Sequence, residues 1–99
     1  MVMLLLLGAC SRSNNLLLGR VEAKAGTHDV VVTDCYRTSV DPPRKIGDTS
    51  AGLPVYRFAP CRDAIVLIRG DELLVNGTSY GQIKPQAAIL VDHGVVSVH

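Results

Sequence analysis

The side chains in this chain that could do chemistry are few, and they fall into three groups. Three cysteines stand at Cys10, Cys35 and Cys61. A thiol can be acylated, oxidised to a disulfide, bound to a metal, or used as a nucleophile when nearby cations lower its pKa. Arg57 and Arg62 flank Cys61 and could serve that last purpose. Three histidines follow, and two of them adjoin a carboxylate, in His28-Asp29 and Asp92-His93. A His–carboxylate pair can orient a general base or hold a metal. Successive strand residues point to opposite faces, however, so neighbours in sequence are not expected to converge. The third group is aromatic and basic: Tyr36, Arg37, Arg44, Tyr56 and Arg57 cluster around Cys35 and Cys61. Tyr and Arg are favoured at recognition surfaces, which makes these five residues a binding surface in outline.

The N-terminus carries an address. Met1 to Leu7 is an apolar run, and it ends in Leu7-Gly8-Ala9-Cys10. The run is short and no Lys or Arg precedes it, whereas a secretory signal ordinarily begins with a basic stretch. The four-residue box resembles that of bacterial lipoproteins of the small uncharacterised type. The resemblance implies cleavage before Cys10, lipid (palmitate among its chains) on that cysteine, export, and a stable tether to a membrane of the cell envelope. Ser11, where an Asp would signal inner-membrane retention in a Gram-negative cell, implies the periplasmic side of the outer membrane there. Spanning a bilayer takes about 20 apolar residues, and Ser11-Arg12-Ser13-Asn14-Asn15 ends the run well short of that.

Once Cys10 is taken as the lipid site, Cys35 and Cys61 remain as a pair. In an exported domain a disulfide is the default for such a pair; buried free thiols and a metal site are the alternatives. Metal binding usually shows closer spacing, such as C-x-x-C, which this chain lacks. A loop of this length closed by a disulfide contributes roughly 3 kcal/mol in the chain-entropy model. A domain this small has few other sources of stability.

Composition narrows the function classes. The ten Lys and Arg nearly balance nine Asp and Glu, and the cations are scattered. A nucleic-acid interface would show a basic face with stacking aromatics, and here only Tyr36, Tyr56, Phe58 and Tyr80 are aromatic. No nucleophile elbow or phosphate loop occurs. Arg69-Gly70-Asp71 and Asn76-Gly77-Thr78 match short recognition motifs, but Gly-Asp and Asn-Gly are ordinary turn chemistry. Neither a cofactor nor a metal site is expected.

The elements that must hold these residues are strands. Val30 to Thr33, Pro54 to Phe58, Ala64 to Ile68, Ala88 to Val91 and Val95 to Val98 are short runs rich in β-branched or aromatic residues. Asn76-Gly77 is a strong hairpin signal, because both positions of a type I′ turn require positive φ. The stretch from Arg37 to Leu53 is rich in turn residues and prolines, and is expected to be an irregular loop presented to a partner. The organisation read from the sequence is a signal over 1–9, a lipid anchor and tether over 10–27, and an all-β domain over 28–99. The domain is expected to be a small antiparallel meander closing into a barrel or sandwich with one disulfide. Its expected function is that of a lipid-anchored envelope protein acting as a structural or binding module, for an envelope protein or polymer. The alternative is an envelope metal-binding or enzyme accessory using His28, Asp92 and His93.

Overall fold

The computed structural model describes residues 16–99. Cys10 and the lipobox-like segment lie outside the described residues. A single 3-10 turn at Leu16–Leu18 is followed by nine strands: β1 (Arg20–Ala25), β2 (His28–Thr33), β3 (Arg44–Asp48), β4 (Pro54–Cys61), β5 (Ala64–Arg69), β6 (Glu72–Val75), β7 (Thr78–Gln82), β8 (Ile89–Asp92) and β9 (Val95–Val98).

The strands form two open sheets, one ordered β1-β2-β8-β9 and the other β3-β4-β5-β6-β7. The five-stranded sheet is antiparallel throughout, built of hairpins as the turn signals imply. Asn76 and Gly77 adopt φ of 53° and 85° at the β6–β7 turn. The four-stranded sheet departs from a meander, since β2 and β8 run parallel, with Val30 opposite Ile89 and Val32 opposite Val91. A parallel pair cannot be joined by a tight turn and needs a long crossover. Here the whole second sheet is that crossover.

Both sheets bury one face in the same core. Val21, Val30 and Ile89 come from the first sheet, and Phe58, Ile68 and Leu73 from the second. Alternation along β5 shows how the sequence does this: Ala64, Val66 and Ile68 are buried while Ile65 and Leu67 are half-buried. The core also takes in Val21 and Ala25 of β1. The sheet therefore begins within the stretch expected to be tether, because β1 pairs with β2 along its full length.

Two further expectations change. The stretch from 37 to 53 is not wholly irregular: it contains β3, an edge strand exposed along its length. An edge strand that buries nothing has no hydrophobic alternation by which to be recognised. The strand expected over Pro54 to Phe58 also runs on, through Pro60 to Cys61. The register shifts between Phe58 and Cys61, and such an irregularity admits a residue with no N–H to give to the ladder.

Cys35 and Cys61 are joined by a disulfide, with Cα atoms 5.7 Å apart and a sequence separation of 26. Cys35 follows β2 of one sheet and Cys61 ends β4 of the other, so the bond ties the two sheets together. Asn76 provides a second tie, between turns. Its side chain accepts from the Ile65 N–H at 2.8 Å and donates to the Asp63 carbonyl at 2.8 Å.

Candidate functional site

Two places on this scaffold bring polar side chains together in ways that hairpin packing alone does not require. The first is on the outer face of the five-stranded sheet. Opposed residues of antiparallel strands share a face, with Cβ atoms about 5 Å apart. Arg44 of β3 lies opposite Arg57 of β4, Arg57 opposite Leu67 of β5, and Leu67 opposite Leu74 of β6. This makes one continuous cross-strand row of two arginines and two half-buried leucines. Like charges directly opposite each other destabilise a strand pair. No carboxylate relieves this pair: among the described residues neither Arg44 nor Arg57 has an ion-pair or hydrogen-bond partner.

The adjoining row behaves differently. Arg69 lies opposite Glu72, and its guanidinium donates to Glu72 Oε1 from Nε at 3.2 Å and from Nη2 at 3.0 Å. Ser79 Oγ donates to Glu72 Oε2 at 2.8 Å. The Ser79 hydroxyl, and after it Arg69, hold the Glu72 carboxyl below its ordinary value.

The second place is a cleft at one end of the molecule, with a volume of about 170 Å³. Three turns meet there, represented by Gly26 and Thr27, by Leu53 and Pro54, and by Gly70 and Asp71. The Gly70 N–H donates to the Pro54 carbonyl at 2.9 Å, and the Thr27 hydroxyl donates to the Pro85 carbonyl. Tyr56 packs directly against Gly26, whose φ is +64° and where an added Cβ would meet the ring at 2.9 Å. His28 is in the wall, only 3 % exposed. Its Nδ1 donates to the Ala87 carbonyl at 2.9 Å, and its Nε2 is 3.8 Å from Asp71 Oδ1.

The five residues expected to form one binding surface are thus divided. Arg44 and Arg57 are brought together. Tyr56, adjacent to Arg57 in β4, turns to the opposite side, packs on the core and lines the cleft. Tyr36 is exposed and its ring stands over Gly19. Arg37 is exposed and shares no interaction with the other four.

The His–carboxylate pairs also resolve. His28 is buried and Asp29 exposed, on opposite faces as strand geometry demands. Asp92 and His93 do meet, because His93 sits in a turn at φ 50° rather than in a strand; His93 Nδ1 and Asp92 Oδ1 are 2.7 Å apart. Thr33 Oγ1 donates to the same carboxylate oxygen at 2.8 Å and accepts from the His93 N–H at 3.0 Å. The Thr33 hydroxyl first, and His93 second, lower the Asp92 carboxyl below its ordinary value. Thr33 and His28 are the two ends of β2, roughly 16 Å apart at the rise of a strand. His28, Asp92 and His93 therefore do not form one centre. Among the described residues no three His, Cys, Asp or Glu side chains are grouped to hold a metal.

Sequence reasoning passed over Asp71 as the partner of His28, since a contact between residues this far apart in the chain leaves no local signal. It also passed over Leu67 and Leu74, whose signal was present: each is the outward residue of an alternating strand and each is apolar. No protein family, curated protein or solved structure matches this chain.

Proposed function

We propose that this protein is a non-catalytic binding module of the bacterial cell envelope, held on a membrane by lipid at Cys10. The two sheets are read as the layers of a sandwich, and the outer face of the five-stranded layer meets an acidic envelope polymer or protein. In a Gram-negative cell its place is the periplasmic side of the outer membrane. One observation carries the binding face: Arg44 and Arg57 stand opposed with no counter-charge among the described residues, beside an apolar strip of Leu67 and Leu74. A carboxylate- or phosphate-bearing partner would supply the missing charge through guanidinium bonds, and the leucines would supply contact area. The anchor rests on Leu7-Gly8-Ala9-Cys10 and its likeness to a lipobox, and the Cys35–Cys61 disulfide is what an oxidising compartment permits.

The test has two arms. Intact mass of the native protein should show loss of residues 1–9 and a lipid adduct on Cys10; a chain retaining Met1 without adduct overturns the anchor. Binding of the intact protein to an acidic polymer, polyglutamate as probe, should fall at least tenfold in R44E/R57E and weaken with salt. Equal binding by the variant overturns the binding face.

A further inference from the structure

We propose that the cleft between His28 and Asp71 binds a primary alkylammonium group, such as the end of a lysine side chain. The argument starts from the His28 ring. A carbonyl can only accept, so the 2.9 Å contact with Ala87 O requires a proton on Nδ1. In the neutral ring Nε2 then carries a lone pair, and that lone pair faces Asp71 Oδ1 across 3.8 Å. Two acceptors confront one another over a gap too long for a direct hydrogen bond. A single nitrogen carrying several protons can sit to one side of that gap, about 2.9 Å from each acceptor, and donate to both at once.

The surrounding chemistry selects an ammonium on an alkyl stem. Asp71 brings a half-exposed carboxylate that has no Lys or Arg partner among the described residues and faces only the His28 ring, at 3.8 Å. The cations nearest in sequence are engaged elsewhere: Arg69 is held by Glu72, and Lys24 lies 3.8 Å from Asp29. Apart from Thr27, whose hydroxyl is given to the Pro85 carbonyl, the rest of the wall is largely apolar, with Leu53, Pro54, Tyr56 and Ile68. An aromatic ring beside a carboxylate favours a cation over a neutral donor. The volume of about 170 Å³ is close to that of a cavity known to take up benzene, and below that of sites for drug-sized ligands. The cleft therefore takes one functional group rather than a whole large ligand. This site is independent of the arginine row and of the lipid anchor, and stands or falls separately from them.

Titration of the intact protein with n-butylammonium chloride tests the proposal, with chemical shifts of the His28 ring and the Tyr56 ring as the readout. Sodium chloride at matched ionic strength, n-butanol and sodium butyrate are the controls. Saturable shifts with butylammonium are expected, with at least tenfold weaker binding of butanol and none of butyrate. D71N, altered at a half-exposed position, should keep the fold and lose binding at least tenfold. H28Q should weaken binding as well, since its amide cannot donate to Ala87 and present a lone pair with the ring's geometry. The proposal is overturned if butylammonium gives no saturable shift, if butanol binds as well, or if D71N binds like the parent. Any of these leaves His28 and Asp71 as neighbouring side chains of the wall and nothing more.

Discussion

The outward faces of the two sheets differ in how completely their charges are paired. On the four-stranded sheet, cations have partners: Arg20 Nε is 3.0 Å from Glu22 Oε2, Lys24 is near Asp29, and His93 is beside Asp92. On the five-stranded sheet, Lys45 and Arg69 are paired, but Arg44 and Arg57 are set against each other with no counter-charge among the described residues. The inner faces show no such difference, since both contribute alike to one core. Folding therefore explains the inner faces of both sheets and the outer face of the first. It does not explain the outer face of the second, where an arrangement that lowers stability is retained. Such a local conflict between stability and sequence is where a function is to be sought.

The comparison can be broken most severely from within. If the two sheets share one core, truncating either should cost alike: Phe58→Ala about 3–5 kcal/mol and Ile89→Ala about 2–5 kcal/mol in urea unfolding, with a single transition in both. Two separated transitions in either variant would show that the layers are independent. Next in size is the tie between them. C35A/C61A should lose roughly 3 kcal/mol, while Asn76→Ala, which releases the turn clamp, should lose about 1–2 kcal/mol. A disulfide variant as stable as the parent would mean that the core alone fixes the layers.

Smaller effects sharpen the contrast between the outer faces. R57T should raise stability by about 0.2–1 kcal/mol, because it removes a like-charge opposition and places a good strand former there. Removing a paired cation with R20T should give no gain. Equal effects in the two variants would erase the distinction on which the binding face rests. The smallest effect concerns acid. Glu72 and Asp92, one on each outer face, both titrate below their ordinary values when folded. Their contribution is complete above the unfolded carboxylate value of about 4 and is lost as pH falls through the lowered folded value. Urea midpoints at a series of pH values should therefore hold steady down to that region and then drop. The E72Q/D92N double variant should show a shallower drop, and an unchanged profile would remove both carboxyls from the account.

What could be read in advance follows from the range of the forces involved. Strands β2 and β5 and the Asn76-Gly77 hairpin are local, and their residue types declare them. The pairing of Cys35 with Cys61 was legible because so few thiols were available. The parallel pairing of β2 with β8 was not, since register between distant segments depends on the packing of both against the same core. β3 was hidden because Arg44–Asp48 buries no side chain and follows Pro42-Pro43. Of the binding surface, the residue types at Arg44 and Arg57 were legible. Their opposition was not, since it depends on a bulge at Ile46, where the β3–β4 register shifts between Lys45 and Gly47.

The disulfide has one more effect, and it concerns topology. The bond between Cys35 and Cys61 closes a covalent ring, and β3 with Arg44 lies within that ring. Edge strands are the elements that proteins exchange between copies when a hinge opens. An exchanged β3 would have to leave as a loop fastened at both ends, dragging β4 and the exit of β2 with it. While the bond is intact this edge cannot be traded between molecules as a free arm, so the two arginines are always presented by the chain that encodes them.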